Sequence, residues 1–342
     1  MIAIYADRLQ RQGHSVTVIA GPYPRPTVKQ RLKTLFYGSP QMAVFNPETS
    51  HFADLQIRCV TLDRPRPLRE ADVPDGDVII ASWWETAEWI AALSPAKGRK
   101  VYFIQHHEVF EYLPRDRVEA TYRLPFFQIA IAQWLVDILQ TRYGAGPVAL
   151  VPNGVDLNQF YSAPRSKAAV PTVGLVYSVT PWKGCDIALE AVRQVRQQHP
   201  DLHLVAFGVA APKATLPLPP GTEFFLQPPQ HQLKDLYGRC DAWLFSSRVE
   251  GFGLPILEAM ACRTPVIATP AGAATEIVGK GGGILLDAFD AAAMAQAICR
   301  LCDMDLVEWQ QQSERAYAIA AQYSWEESTR RFEAALYQAV ND

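Results

Sequence analysis

Short, continuous apolar runs alternate with amphipathic stretches along almost the whole chain. The apolar runs lie at residues 15–20, 77–81, 100–105, 148–151, 172–177, 202–207, 242–245, 265–268 and 283–286. Runs rich in Val, Ile, Leu and Phe are typical of strands that are buried on both faces of a parallel sheet. Helical periodicity follows several of them, at residues 186–198, 232–239 and 291–302. This alternation predicts an α/β fold with parallel strands and right-handed crossovers.

The length of the chain and a break in this pattern predict two domains. The chain has 342 residues, and a typical domain has about 150. The alternation occurs twice, and the two series are separated near residues 151–167, where Pro152-Asn153-Gly154 is a turn signal. We therefore expect an N-terminal domain over residues 1–155 and a C-terminal domain over residues 156–324.

The composition narrows the class of protein. Apolar residues make up 49% of the chain and charged residues 20%, which excludes a disordered chain or a collagen-like repeat. The formal charge of −3 gives no support to a nucleic-acid partner. The six cysteines are scattered, which fits a reducing compartment better than a disulfide framework. No apolar run reaches the roughly 18 residues needed to cross a bilayer, so we expect a cytoplasmic protein.

The most informative stretch covers residues 246–261, S-S-R-V-E-G-F-G-L-P-I-L-E-A-M-A, which leads from a strand through a loop into a helix. Gly251 and Gly253 permit a close approach that a Cβ atom would block, and Pro255 suits the first helical position, where its missing N–H costs nothing. The free amide groups of Phe252, Gly253 and Leu254 then point outward at the helix start. Because the helix dipole also favours negative charge there, the loop predicts a phosphate site.

Two glutamates flank this loop. Glu258 lies about one turn into the helix, where a carboxylate can accept hydrogen bonds from both vicinal hydroxyls of a ribose. Glu250 precedes the glycines and would face the opposite end of a ligand that spans the loop. A lone glutamate in a first turn is more often a solvated acid, so that alternative stays open for Glu258 alone. The complete string of strand, Glu, Gly-x-Gly, Pro, helix and Glu favours a ligand site.

The spacing of Glu250 and Glu258 within E-G-F-G-L-P-I-L-E-A-M-A resembles the signature of the retaining family 4 (group 1) glycosyltransferases. Three other segments are also similar to that family. They are V-P-N-G-V-D at 151–156, P-W-K-G-C-D-I-A-L-E-A at 181–191 and R-Q-G-H-S-V-T-V at 11–18. The resemblance implies the GT-B fold, in which two Rossmann-like domains face each other across a cleft. It implies an acceptor side on the first domain, to which residues 325–342 return, and a nucleotide-sugar donor on the second.

The resemblance also implies roles for single residues. Glu258 binds the ribose of the nucleotide, and Glu250 faces the donor sugar or the hydroxyls near the phosphates. Lys183 neutralises the leaving diphosphate, because a preplaced ammonium stabilises developing negative charge. The donor-binding loop consists of Gly251, Phe252, Gly253 and Leu254, and the amides of the last three hold the distal phosphate. A solvated first-turn lysine remains the alternative for Lys183.

One position departs from the family. An arginine usually stands five residues before the lysine, and Ser178 stands there in this chain. One contact to the diphosphate is therefore missing or supplied from elsewhere. Arg248 is the nearest basic substitute in the sequence.

A polar cluster, Gln105-His106-His107-Glu108, follows the strand at 100–105. The carboxyl ends of parallel strands are where α/β sheets build their sites. By resemblance, one of these histidines contacts the donor sugar, with His106 aligning better than His107. Each could instead be a core or capping histidine, and the sequence leaves the choice open.

The implied activity is transfer of a sugar from a nucleotide-diphosphate sugar to a glycan or lipid-linked hydroxyl acceptor, with retention of the anomeric configuration. We expect no cofactor and no essential metal. The D-x-D triplets at 75–77 and 303–305 spell a cation motif of another fold, but chance accounts for them. A nucleotide-sugar epimerase and a non-catalytic nucleotide- or sugar-binding protein of the same fold are the alternatives.

The first 33 residues contain a basic cluster and an amphipathic stretch. Arg25, Lys29, Arg31 and Lys33 form a basic cluster, which predicts a solvated face or, alternatively, peripheral contact with anionic lipid at the inner membrane face. Residues 2–12 form an amphipathic helix before the first apolar run. A Rossmann-like domain usually opens with a strand and a Gly-rich turn, so we expect this sheet to lack its usual first strand and turn.

Overall fold

The computed structural model describes residues 1–21, 51–52 and 55–342. These residues form two compact units. The first comprises Met1–Tyr102, Leu124–Phe127 and Glu333–Asp342, and the second comprises Phe103–Arg123 and Gln128–Phe332. This division follows contacts within the folded chain, and the domain boundary near residue 155 stays a prediction. The basic cluster of Arg25, Lys29, Arg31 and Lys33 lies outside the described residues.

The regular elements follow one another largely as strand and helix. The strands are β1 Thr17–Ala20, β2 Arg58–Thr61, β3 Val78–Ala81, β4 Arg99–Ile104, β5 Phe127–Ala130, β6 Val148–Leu150, β7 Thr172–Val176, β8 His203–Gly208, β9 Glu223–Leu226, β10 Ala242–Phe245, β11 Val266–Ala268 and β12 Gly283–Leu285. The helices are α1 Ile2–Arg11, α2 Trp84–Ala91, α3 Arg115–Thr121, α4 Gln133–Tyr143, α5 Cys185–Val195, α6 Leu233–Gly238, α7 Leu254–Ala261, α8 Ala274–Ile277, α9 Ala291–Asp303, α10 Leu306–Ala320 and α11 Trp325–Asn341.

The first unit pairs its strands in parallel. β1 lies beside β2, with Thr17 opposite Arg58, and β3 lies beside β4, with Val78 opposite Arg99. The helix predicted at the start is α1, which buries Tyr5 and other apolar residues on one face. The end of α11 belongs to the same unit.

A six-stranded parallel sheet forms the centre of the second unit. Its strand order is β12-β11-β10-β7-β8-β9, so β7 pairs with β8 on one side and with β10 on the other. From β7 the chain adds β8 and β9 on one side, and then β10, β11 and β12 on the other side. The direction of strand addition therefore reverses between β7 and β10, which makes that position a topological switch point. Ligands of open α/β sheets bind at the carboxyl ends of the strands at such a point.

Apolar residues on one face of this sheet form a core with the helices that cover it. Val173 and Leu175 of β7 are each 1% exposed and pack with the buried faces of α5 and α9. The helices expected at 186–198, 232–239 and 291–302 correspond to α5, α6 and α9. In the same unit β5 and β6 are also parallel, with Gln128 opposite Val148. Within the part of the chain that the structure describes, no helix combines the length and apolarity that a membrane span requires.

Candidate active site

Two loops meet at the switch point of the six-stranded sheet. One follows β7 and contains the short helix Pro181–Lys183, and the other follows β10 and leads into α7. The Arg248 amide donates to the Trp182 carbonyl at 2.7 Å, and the Ser246 hydroxyl donates to the Lys183 carbonyl at 3.3 Å. These bonds fix the two loops to each other, although they are more than 60 residues apart.

Lys183 and Glu250 form an ion pair in this corner. The Nζ atom of Lys183 lies 2.5 Å from Oε1 of Glu250, and the two side chains are 42% and 16% exposed. The Ser247 hydroxyl donates to the same carboxylate oxygen at 3.0 Å. The structure thus brings together two residues that the sequence predicts for the leaving-group end of the site.

The glycine loop leads into the first turn of α7. Gly253 has φ +98° at the N-cap of α7, a conformation that favours glycine. Among the described residues, no acceptor takes a hydrogen bond from the amides of Phe252, Gly253 or Leu254. These are the three amides that the sequence predicts for the distal phosphate. Gly251 is needed for another reason, because a Cβ there would overlap the carbonyl oxygen of Gln105.

Glu258 is the fifth residue of α7, and its carboxylate is fixed by a tyrosine. The Tyr237 hydroxyl donates to Oε2 of Glu258 at 2.6 Å, and Tyr237 itself is 0% exposed. Its ring packs against Trp243, with centroids 4.4 Å apart. Burial raises the pKa of Glu258, and the hydrogen bond from Tyr237 lowers it in part. The solvated first-turn acid is therefore not what the structure contains, because this carboxylate is partly buried and oriented.

The two histidines after β4 have different surroundings. Nδ1 of His106 donates to the His107 carbonyl at 2.9 Å, and its ring meets the ring of Trp134 edge-on. Burial lowers the pKa of His106, while the charges of Glu250 and Lys183 act on it in opposite directions. The geometry thus puts His106 beside the glycine loop.

His107 lies in a cluster of tyrosines. Its Nε2 atom is 2.7 Å from the Tyr143 hydroxyl, and its ring stacks on Tyr122 with centroids 5.6 Å apart. Burial, followed by the charge of Arg142, lowers the pKa of His107 to about 4. His107 is thus held by two tyrosines, whereas His106 lies beside the glycine loop, and both histidines line the same cavity. The catalytic roles of both stay predictions.

Sequence reasoning missed Trp134 and Glu276. The indole Nε1 of Trp134 donates to the Gly251 carbonyl at 2.9 Å, and its amide donates to Oε1 of Glu276 at 3.3 Å. Burial raises the pKa of Glu276. The available signal was position, because Trp134 is the second residue of α4, just beyond the carboxyl end of β5. That strand was not among the predicted ones.

Ser178 carries no charge, and Arg248, the basic substitute that the sequence offers, is held by an acidic partner. The Ser178 hydroxyl accepts a hydrogen bond from the Thr180 amide at 3.2 Å. Arg248 is paired through both terminal nitrogens with Asp186, at 2.7 Å each, and also donates to the Pro181 carbonyl. The Arg248 side chain therefore links the loop after β10 to the loop after β7 and the start of α5.

A cavity of about 860 Å³ lies beside these loops in the second unit. Its aromatic wall is formed by Phe110, Tyr112 and Trp182. The Phe110 ring lies 5.5 Å from that of Tyr112 and 6.5 Å from that of Trp182. The lining comprises His106, His107, Val109, Phe110, Glu111, Tyr112, Trp134, Ser178, Val179, Thr180, Pro181, Trp182, Cys185, Asp186, Thr215, Leu216, Arg248 and Val249. The structure was also searched for groups of side chains that could bind a metal ion. Across the described ranges, no group of three or more His, Cys, Asp or Glu side chains is arranged to hold one.

Two family models match the chain. Residues 2–159 match Glycosyltransferase Family 4, and residues 163–322 match Glycosyl transferases group 1.

Curated relatives carry related names. A D-inositol 3-phosphate glycosyltransferase from Acidothermus cellulolyticus is 31% identical over 218 residues, 56% of this chain and 48% of the relative. A GDP-mannose-dependent monoacylated alpha-(1-6)-phosphatidylinositol monomannoside mannosyltransferase from Corynebacterium glutamicum is 25% identical over 220 residues, 57% of this chain and 58% of the relative. The matched part of the chain thus spans about half the length of these curated relatives.

Solved structures share the fold over most of the chain. Sucrose-phosphate synthase from Thermosynechococcus elongatus has a TM-score of 0.70 and 18% identity, over 98% of this chain and 91% of that one. The Anabaena protein HepE in complex with UDP-glucose has a TM-score of 0.62 and 23% identity, over 77% and 79% of the two chains. Taken with the two family models, these likenesses show that the chain belongs to the family 4, group 1 glycosyltransferases and has their GT-B fold, an α/β architecture of Rossmann-like domains.

Proposed function

We propose that this protein transfers a sugar from a nucleotide-diphosphate sugar to a hydroxyl acceptor, with retention of the anomeric configuration and without a metal. One observation carries the proposal. Three features lie on the two loops and the helix at one switch point. They are three amides at the start of α7 that have no acceptor among the described residues, the Lys183–Glu250 ion pair and the oriented carboxylate of Glu258. Together they match the charges and hydroxyls of a nucleoside diphosphate.

The donor is bound by complementary groups at its two ends. Glu258 accepts hydrogen bonds from the ribose hydroxyls, for which its carboxylate must be ionised. The amides of Phe252, Gly253 and Leu254 hold the distal phosphate, aided by the dipole of α7. Two bases occur among the similar proteins. One relative is named for GDP-mannose, while the Anabaena structure contains UDP-glucose.

Lys183 stabilises the leaving group. The bond between the anomeric carbon and the diphosphate oxygen breaks, so negative charge develops on that oxygen and the ammonium offsets it. In the free protein Glu250 holds this ammonium, at 2.5 Å. When the diphosphate competes for Lys183, the carboxylate of Glu250 becomes available to a hydroxyl of the donor sugar.

The acceptor attacks from the face that the diphosphate leaves. Its hydroxyl oxygen bonds to the anomeric carbon, and its proton passes to the departing phosphate oxygen, so no covalent intermediate is formed. His106 contacts the donor sugar as a neutral imidazole, because burial lowers its pKa. His107 contacts Tyr122 and Tyr143 and so fixes the backbone next to His106.

A glycan or lipid-linked acceptor fits the aromatic wall of the cavity. Trp182 is 44% exposed and Tyr112 is 70% exposed, and exposed rings of this kind contact the apolar face of a sugar or an acyl chain. Trp182 directly precedes Lys183, so an acceptor on this wall lies next to the reacting centre. We propose a cytoplasmic location, since all six cysteines are free.

A non-catalytic donor-binding protein is the second candidate, because Ser178 takes the place of an arginine that would contact the diphosphate. Release of nucleoside diphosphate from a nucleotide sugar, with glycan and lipid-linked acceptors supplied, separates the two. We expect turnover in the wild type, unchanged by EDTA. Lys183→Ala should lower kcat by about 10²–10³, the usual effect of removing one such stabilising group.

Lys234→Ala, on the exposed side of α6, is the matched control and should leave turnover unchanged. Full turnover in both Lys183→Ala and Glu258→Ala would show that the site has been assigned to the wrong residues. Donor binding without turnover would favour the second candidate.

A further inference from the structure

Two consecutive carbonyl groups of the glycine loop are held by residues outside the loop. The indole Nε1 of Trp134 donates to the Gly251 carbonyl at 2.9 Å. The Ala273 amide donates to the Phe252 carbonyl, also at 2.9 Å. In a trans peptide the C=O and N–H groups point in opposite directions. Fixing each carbonyl therefore fixes the direction of the amide that follows it.

The amides fixed in this way are those of Phe252 and Gly253. Neither donates a hydrogen bond within the described residues, and neither does the amide of Leu254. Successive N–H groups that point to one side form a concave nest for an anion. The loop thus presents its donors to the ligand because its acceptors are turned toward Trp134 and Ala273.

Trp134 is itself fixed at both ends. Its amide donates to the Glu276 carboxylate at 3.3 Å, which caps the start of α4. Glu276 lies in α8, three residues after Ala273, so the two anchors of the loop are tied to each other. The Trp134 ring also meets His106 edge-on, with centroids 6.3 Å apart.

We infer that Trp134 is a positioning residue for the donor diphosphate. Its indole N–H holds the peptide between Gly251 and Phe252 in the orientation that points the Phe252 amide at the distal phosphate. The inference rests on the proposed function, since it assumes that a nucleoside diphosphate binds at this loop. Trp134 has this role through the hydrogen bond that it donates to the Gly251 carbonyl.

The test compares two ligands that differ in one phosphate. The probes are the nucleoside diphosphate, among UDP, GDP, ADP and dTDP, that binds the wild type most tightly, and the monophosphate of the same base. Trp134→Phe keeps an aromatic ring and removes the N–H donor together with the second ring of the indole, a loss of volume that the control below shares. We expect its Kd for the diphosphate to rise about tenfold, equivalent to about 1.4 kcal/mol, with the Kd for the monophosphate unchanged.

Trp309→Phe is the matched control. The indole of Trp309 also donates to a backbone carbonyl, that of Asp241, at 3.0 Å, but in the core of the second unit. This variant should melt at a lower temperature and bind both ligands like the wild type. Equal Kd values for the diphosphate in Trp134→Phe and wild type would overturn the inference alone. A wild type that binds none of the four diphosphates would overturn the proposed function as well.

Discussion

At the scale of single residues, the sequence predicts a site at His106 and His107 but does not distinguish the two histidines. Both follow β4, and the pattern that predicts a site at the end of this strand applies equally to both. Their surroundings come from segments far along the chain, Trp134 for one and Tyr122 and Tyr143 for the other. The choice between them therefore depends on tertiary packing, which the pattern of one segment does not contain.

The tyrosine cluster around His107 predicts a pH dependence of stability. The pKa of His107 is about 4 in the folded protein and about 6.5 in an unfolded chain. Between pH 6.5 and pH 4, His107 is protonated in the unfolded chain and neutral in the folded protein. Unfolding is therefore increasingly favoured as the pH falls toward 4. His107→Gln removes this contribution. Its difference in unfolding free energy from the wild type should shrink between pH 7.5 and pH 5 in denaturant titrations.

His231→Gln, at an exposed position, is the control for that series. Its difference from the wild type should be the same at both pH values. A constant difference for His107→Gln would mean that His107 is not held neutral by its surroundings.

At the scale of elements, the strand, glycine loop and helix around Gly251 were predicted from sequence and lie where expected. The string of residues determines them locally, through buried β10, two glycines and a proline at the second position of α7. The strands β2, β5 and β9 were missed. β9 is a four-residue strand at the edge of its sheet, and the apolar run of β5 continues toward α4 without a break.

The crowding around the glycine loop predicts that the same Gly→Ala substitution destabilises the protein at one position and not at another. Gly251→Ala would place a Cβ against the Gln105 carbonyl and near the His106 ring. Such overpacking costs about 1–3 kcal/mol, so the melting temperature should fall by several degrees and diphosphate affinity should fall with it. Gly146→Ala is the matched control, because nothing lies within 4 Å of its added Cβ.

Calorimetric melts of the two variants are the measurement. Gly146→Ala should stay within about 0.5 kcal/mol of the wild type, as surface substitutions usually do. Equal melting temperatures for the two variants would show that the close approach of residues 105 and 251 does not constrain the loop.

At the scale of the whole molecule, the order of strands in the six-stranded sheet explains where the site lies. The alternation of apolar runs predicts parallel strands, but it does not predict that β7 lies between β8 and β10. That order brings the lysine of one loop to the glutamate of another, 67 residues away. The family resemblance assigned both residues to the donor site but did not predict that they pair, and it did not extend to Trp134 or Tyr237.

The central claim is that the glycine loop and Glu258 bind a nucleoside diphosphate. The most direct measurement is thermal melting of the wild type, Glu258→Gln and the control Glu190→Gln with UDP, GDP, ADP and dTDP. A ligand at a hundred times its Kd stabilises a protein by about 2.7 kcal/mol. We predict that one base shifts the melting temperature of the wild type and of Glu190→Gln, and that Glu258→Gln loses most of that shift. The absence of any shift in the wild type, or an equal shift in Glu258→Gln, would contradict the claim.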